Sequence, residues 1–261
     1  MRIANPFRIP IGAGNVAAAY KSVHALHAQA HQAYTRGDIG NAFSFEHEAL
    51  QELLQVFHAD KSGQHVPVLL VMARNTRDLG YQSGQLLVAE ATIKKGLVEC
   101  IASKNKQKKW GAIEMANQLL WIYFHLTKLS LCGTLLPQVD RATSKMGISM
   151  DQVPIAHRVT SQYYRGRLAL FNLDPVVAEE ALDFAFHHCA KSSSRNKRLI
   201  LHSLVPAKLL HGKYPTTALL EKYNCHQYIH LVDAVKNGNV GLFERCVTQH
   251  QVFFLGFEVV F

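Results

Sequence analysis

A glycine-rich segment near the start of the chain has the spacing of a dinucleotide-binding loop. Gly12, Gly14 and Ala17 satisfy the pattern GxGxxA, whose glycines let a pyrophosphate approach the N-terminus of a helix. That chemistry requires a buried strand before the loop, and only residues 9–11 are apolar there. A loop entering the first helix is therefore the better interpretation. A nucleotide-dependent enzyme using residues 12–17 stays as an alternative hypothesis, which a dinucleotide titration would test.

Three histidines share one face of a predicted helix. His24, His27 and His31 stand at i, i+3 and i+7, a spacing that can present imidazoles to a metal ion. A zinc protease would need a glutamate at position 28 as general base, and Ala28 occupies it. No GxSxG, Walker A or paired-carboxylate motif occurs, and no cysteine lies in a nucleophile signature. The chain is therefore predicted to be non-enzymatic, with no cofactor and no metal.

Two basic segments are candidates for binding nucleic acid. The first leads into Trp110, and the second lies in the window 184–220, which contains no acidic residue. The window is the stronger signal, because a helix beginning near residue 194 would add free amides to its cations. The candidate residues are Lys104, Lys106, Lys108, Lys109, Arg195, Lys197 and Arg198. The alternative is that both segments are solvated surface without a ligand.

The composition limits the class of protein and its partners. The 261 residues are 48% hydrophobic, enough to bury a core without disulfides or metals. The net charge of +9 and a pI near 9.3 favour polyanionic or acidic partners. Five widely spaced cysteines fit a reducing compartment, the cytosol or nucleus. The apolar runs fall short of the roughly 18 residues that cross a bilayer, so no membrane is expected as a partner.

Apolar residues recur at helical spacing, and alternation of apolar and polar residues is rare. The only plausible strand is residues 66–72, where Pro67 is equally natural as the start of a helix. Two segments share a finer pattern of a turn, an aspartate and two alanines. These residues are Gly37, Asp38, Ala42 and Ala49, and Leu173, Asp174, Ala178 and Ala185. With Gly166 as a small residue in the preceding helix, this pattern predicts an all-α fold of tetratricopeptide-like helical hairpins.

Several motifs resemble a known family. They are Lys108-Lys109-Trp110-Gly111, Ile122-Tyr123-Phe124, Tyr163-Tyr164-Arg165-Gly166-Arg167, and Asn196-Lys197-Arg198 followed by Leu204-Val205-Pro206. Through them the chain resembles the PCI domain-containing protein 2 family, strongly over residues 108–254 and more loosely over residues 17–77. The resemblance implies a helical-repeat layer followed by a winged helix, in a PCI subunit of the nuclear transcription-and-export complex. Members of this family act in messenger RNA export and transcription elongation.

The same resemblance implies partners and a location. The expected partners are a large scaffold subunit, a small acidic subunit of the proteasome-lid type, and RNA or DNA. The expected location is the nucleus including the nuclear pore, with the cytoplasm as a second site. A PCI subunit of a proteasome-lid or COP9-signalosome-like assembly is the alternative.

The sequence departs from the family pattern in three places. The winged helix expected after Phe254 is missing, the N-terminal segment is short, and residues 80–107 look compressed. The predicted organisation is helical repeats over residues 1–110, the helical part of a PCI domain over 111–254, and an aberrant or truncated C-terminus over 255–261.

Overall fold

Helices dominate the protein. The computed structural model describes residues 17–145, 147 and 150–256, and these ranges contain no β-strand. The all-α prediction is therefore confirmed, and the ambiguous segment at Val66 is the start of a helix with Pro67 in its first turn. The chain divides into two compact units, unit 1 ending at Val153 and unit 2 beginning at Pro154.

Unit 1 contains six α-helices among its described residues. They are α1 (Ala17–Thr35), α2 (Ile39–Ala59), α3 (Val66–Gln82), α4 (Leu86–Ala102), α5 (Lys106–His125) and α6 (Leu129–Ser144), followed by a 3₁₀ turn at Met150–Gln152. Residue 110, where the predicted N-terminal repeats meet the predicted PCI part, lies inside α5, and the two compact units divide after residue 153. Residues 12–16 of the GxGxxA motif lie outside the described residues, as do residues 257–261.

Unit 2 contains seven α-helices in its described part. They are α7 (Ile155–Phe171), α8 (Pro175–His188), α9 (Ser194–Leu210), α10 (Thr217–Lys222), α11 (Ile229–Lys236), α12 (Val240–Gln249) and α13 (Gln251–Gly256), with a 3₁₀ turn at His226–Tyr228. Its core is centred on the buried Tyr228, whose hydroxyl donates to the His202 carbonyl at 2.9 Å. None of the described helices in either unit combines the length and apolar character needed to cross a bilayer.

Equivalent turns join the helices of each hairpin. At the α1–α2 turn Gly37 has a φ of 81°, and the Asp38 amide donates to the Ala33 carbonyl at 3.0 Å. At the α7–α8 turn Leu173 occupies the left-handed region with a φ of 59°, and the next amide donates to the Ala169 carbonyl at 2.9 Å. This bond closes the last turn of the first helix and reverses the chain.

Small residues bring the paired helices close together, as the sequence pattern predicts. The four alanines of that pattern, Ala42, Ala49, Ala178 and Ala185, are completely buried. A β-carbon added at Gly166 would lie 2.5 Å from Leu182 Cγ, so only glycine fits between α7 and α8. The tetratricopeptide-like pairing is therefore built from the residues that predict it.

The segment 80–107, which looks compressed beside the family pattern, forms a full helix. It holds α4, a helix of 17 residues. Close approach of α3 and α4 depends on Gly80, since an added β-carbon there would lie 2.9 Å from Ala89 Cβ and 3.1 Å from Phe43 Cε2.

Candidate nucleic-acid interface

The first basic segment surrounds the N-terminus of α5. The side chains of Lys104 and Lys106 are exposed. Lys109 is half-buried, with Nζ 3.5 Å from the Ala142 carbonyl oxygen. Asn105 caps the helix, because its side-chain oxygen accepts hydrogen bonds from the amides of the first turn. The Asn105 side chain therefore takes amides of the first turn of α5 that could otherwise bind an anion. The groups that remain for an anion here are the lysine ammonium groups.

Lys108 is not exposed to solvent. Its side chain is 4% exposed, and Nζ donates to the carbonyl oxygen of Phe57 near the end of α2. The same ammonium lies 4.2 Å from the centre of the Phe57 ring. The Val56 carbonyl accepts the last hydrogen bond from the Asp60 amide, so Lys108 satisfies the first carbonyl left over at this helix end.

Lys197 makes the same interaction in unit 2. It is 6% exposed, its Nζ donates to the Phe186 carbonyl at 2.6 Å, and it lies 4.4 Å from the centre of that ring. The Ala185 carbonyl takes the last backbone bond of α8, from the Cys189 amide. A lysine therefore caps the C-terminus of α2 and of α8, where the helix dipole favours a cation. Both ammonium groups are thus held by carbonyl oxygens of the fold, and both side chains are largely shielded from solvent.

The second basic segment keeps two arginines on the surface. Arg195 and Arg198 are exposed in the first turns of α9. Ser193 stands at the N-cap position without a side-chain hydrogen bond to the helix. Two exposed arginines therefore lie in the first turns of α9, and a helix N-terminus favours an anion.

Carboxylates from outside the acid-free window lie next to its basic side chains in the folded protein. The Lys208 ammonium lies 2.7 Å from Asp183 Oδ2 and 3.3 Å from Glu179 Oε1, both on α8. Lys213 Nζ lies 2.9 Å from Glu179 Oε1, and His211 Nδ1 lies 2.6 Å from Oε2. Pairing with residues just before the window therefore neutralises part of its charge.

Glu179 is the centre of this ionic cluster. Its side chain is 7% exposed. Burial opposes ionisation, but hydrogen bonds from Lys213, His211 and Lys208 outweigh it and lower the pKa of Glu179 to about 2. The carboxylate is therefore charged at neutral pH, and it joins α8 to α9 and to the turn that follows α9.

The three histidines of α1 do not come together as a ligand set. His27 is buried, with Nδ1 2.7 Å from Glu46 Oε2, and Asn75 Nδ2 donates to the other oxygen of that carboxylate at 3.0 Å. His24 and His31 are exposed. Within the described part of the chain, no group of three or more His, Cys, Asp or Glu side chains could hold a metal ion.

Of the seven candidate residues, the structure leaves five with solvent-accessible side chains. They are Lys104, Lys106 and Lys109 in unit 1, and Arg195 and Arg198 in unit 2. Sequence reasoning missed Lys61, which is exposed in the loop beside the N-terminus of α5. Asn105 Nδ2 donates to the Lys61 carbonyl at 2.9 Å, and this tertiary contact has no signal in the sequence.

The fold and this site define a class: an all-α protein of tetratricopeptide-like hairpins with a cationic surface. No family model matches the chain. It is 34% identical over 254 residues to PCI domain-containing protein 2 of Xenopus laevis, and equally to that of Danio rerio; each match covers 90% of this chain and 62% of the relative. It is 28% identical over 243 residues to Protein CSN12 homolog of Schizosaccharomyces pombe, covering 82% of this chain and 57% of that protein.

The chain belongs to the PCI domain-containing protein 2 family. It spans about three fifths of the length of the relatives from Xenopus laevis and Danio rerio. The resemblance carried by the motifs is thereby confirmed, and the hairpins are those of a PCI helical layer.

Proposed function

We propose that this chain is a non-enzymatic scaffold and adaptor subunit of a nuclear complex for messenger RNA export and transcription elongation. Its proposed partners are a large scaffold subunit, a small acidic subunit of the proteasome-lid type, and RNA or DNA; its proposed location is the nucleus, including the nuclear pore, with the cytoplasm as a second site. The observation that carries the proposal is the family match over 90% of the chain.

The chemistry of the cysteines supports a non-enzymatic role. All five are buried. Burial raises the pKa of Cys100 to about 12 and that of Cys225 to about 11, so these thiols are protonated at neutral pH and are poor nucleophiles.

An exposed apolar group on unit 2 supports a protein partner. Phe171 and Leu173 at the α7–α8 turn are 55% and 78% exposed, and Leu210 at the end of α9 is 60% exposed. The contact between Lys213 and Glu179 places the α9–α10 turn against α8. Large apolar side chains that stay this exposed are candidates for contact with a protein partner.

Affinity purification tests the scaffold proposal. The tagged chain, expressed in cells of its own source, is expected to recover subunits of the export complex. Recovery of none of them, under conditions that preserve the complex of a full-length relative, would refute the proposal. The similarity to Protein CSN12 homolog favours a second candidate, a PCI subunit of a proteasome-lid or COP9-signalosome-like assembly. Co-sedimentation with such a particle would support that candidate instead.

The nucleic-acid part of the proposal depends on the exposed arginines of α9. Replacing Arg195 and Arg198 together with glutamate is expected to weaken binding of single-stranded RNA regardless of its sequence. The slope of log affinity against log salt is expected to become shallower by about 0.7 for each phosphate that the variant leaves without a cation. Fluorescence anisotropy across a salt series measures both quantities.

The matched control reverses Lys236 and Arg245, which are exposed on α11 and α12 of the same unit. Both double variants change the net charge equally, so a difference between them reports a local site rather than overall charge. Equal weakening of RNA affinity in the two variants, or unchanged affinity in both, would contradict an interface at the start of α9.

A further inference from the structure

A polar cleft of about 570 Å³ lies in unit 1 between the ends of α2 and α4 and the start of α5. Three lysines line it: Lys61 from the loop after α2, Lys104 from the loop before α5, and Lys108 from α5 itself. Two carboxylates, Asp60 and Glu99, also line it. Whether the cleft attracts an anion depends on its net charge and on which of its charged groups already have a partner within the protein.

Both carboxylates are satisfied within the protein. Asp60 Oδ1 accepts from the Ser62 amide at 2.8 Å and from the Ser62 hydroxyl at 2.6 Å, and Oδ2 accepts from the Gly63 amide at 3.0 Å. Burial opposes ionisation of Asp60, yet these hydrogen bonds and the nearby His65 lower its pKa. Glu99 Oε2 lies 2.8 Å from His58 Nδ1. These hydrogen bonds orient the two carboxylates without removing their charge, so the three ammonium groups exceed the two carboxylates of the cleft by one positive charge.

The lysines have no such partners. Within the described ranges, no carboxylate lies within 4 Å of the ammonium groups of Lys61, Lys104 or Lys108. Lys108 is the most demanding of the three, because it is 4% exposed and an ammonium has three N–H donors. From the part of the chain that the structure describes, its ammonium receives one hydrogen-bond acceptor, the Phe57 carbonyl, and the face of the Phe57 ring. A buried charge with donors to spare favours an acceptor inside the cleft.

We propose that this cleft binds one phosphate group of a single-stranded nucleic acid chain without reading its sequence. Lysines bind phosphate as point charges, and the described residues that line the cleft include three lysines. Phe, Tyr and Trp are absent from the described residues that line it, so none of these residues offers a stacking surface to a base. The volume is in the range of small-ligand pockets and accommodates a phosphate with its sugar.

This inference rests on the proposed function in one respect, namely that the phosphate belongs to RNA or DNA. Inorganic phosphate is the first probe, titrated into the full chain at constant ionic strength and followed by the backbone amide shifts of Lys61 and Asn105. Saturable shifts are expected in the wild-type protein. Lys61→Ala combined with Lys104→Ala is expected to weaken phosphate binding at least tenfold, and both side chains are exposed, so the fold should persist.

The matched control is Lys21→Ala combined with Lys94→Ala, two exposed lysines of the same unit that do not line the cleft. Unchanged phosphate binding in this control supports the site. Absence of saturable shifts, or equal weakening in the two double variants, overturns it. That failure would leave RNA binding through Arg195 and Arg198 intact, so it is distinguishable from failure of the proposed function.

Competition identifies the source of the phosphate. A 5′-phosphorylated oligonucleotide is expected to displace inorganic phosphate from the cleft at lower concentration than a peptide of aspartate and glutamate with the same charge. Stronger displacement by the acidic peptide would overturn the proposal in favour of a protein partner. Failure of the oligonucleotide to displace phosphate would overturn its nucleic-acid part.

Discussion

Replacing Lys197 with glutamate is expected to destabilise unit 2 by about 3–5 kcal/mol, the cost typical of a buried charge that loses its partner. In the native protein the ammonium donates to the Phe186 carbonyl at 2.6 Å and lies over the Phe186 ring. A carboxylate there would face the carbonyl oxygen, the negative face of the ring and the negative end of α8. Urea denaturation followed by far-ultraviolet circular dichroism measures the decrease in stability. Tryptophan fluorescence shows whether unit 1 follows, because Trp110 and Trp121 both lie there.

Two variants make this expectation specific. Lys197→Met keeps the apolar stem and removes only the charge and the hydrogen bond, so a smaller decrease of about 1–3 kcal/mol is expected. Arg198→Gln changes an exposed neighbour and is expected to leave the free energy of unfolding within about 0.5 kcal/mol of the wild type. Equal stability of the Lys197→Glu and Arg198→Gln proteins would show that Lys197 does not cap α8. If Lys197 acts as described, charge reversal there would lower RNA binding through unfolding, so the residue has no place in tests of the interface.

The fold follows from local signals in the sequence. Gly37 permits the left-handed turn, Asp38 caps the next helix, and Ala42 and Ala49 are small enough for close packing. All of these effects act within about one helical hairpin, so their spacing alone predicts the pairing. The boundary between units is less predictable, because α5 continues through the predicted division at residue 110. Asn105 caps the basic segment ahead of Trp110 and makes it the start of α5.

The candidate site is predictable only in part. Lys197 stands at i−3 and i−4 from the buried Ile200 and Leu201, so its position on the apolar stripe of α9 is visible in the sequence. The number of basic residues in the segment, however, does not show that Lys197 faces the core. The pairing of Lys213 with Glu179 spans 34 positions and depends on how the α9–α10 turn folds back onto α8. No local pattern predicts it, and only the three-dimensional structure separates the exposed arginines from the neutralised lysines.

The positive charge of this protein therefore has two distinct uses. Lys108, Lys197 and Lys208 serve the fold, the first two as caps of helix ends and the third as a partner of α8 carboxylates. Lys104 and Arg198 are exposed, so their charges remain accessible to a ligand. The net charge of +9 does not distinguish the two uses. Interface experiments therefore need variants chosen by exposure rather than by clustering in the sequence.

Acidification is expected to destabilise the core of unit 2 through His202. This side chain is 1% exposed, and Phe253 packs edge-on against it with ring centres 4.9 Å apart. Burial and, to a smaller extent, the nearby Arg198 lower the pKa of His202 from 6.5 to about 4. The unfolded chain therefore binds a proton at a higher pH than the folded one. The stability is complete above pH 6.5, falls as the pH drops towards 4, and is about 2 kcal/mol lower at pH 5 from this group.

A variant that cannot titrate separates this effect from other acid-sensitive groups. In His202→Gln, a polar side chain stays near Gln227, whose Nε2 lies 3.4 Å from His202 Nδ1 in the native protein, but no proton is taken up. The variant is expected to start less stable at pH 7.5 and to lose less stability than the wild type between pH 6.5 and 5, as measured by urea denaturation at each pH. Glu179 does not interfere in that range, because its folded pKa is about 2 and its contribution is lost only as the pH falls below about 4.5. Parallel stability curves for the two proteins from pH 7.5 to 5 would mean that the buried imidazole is not the group that responds to acid.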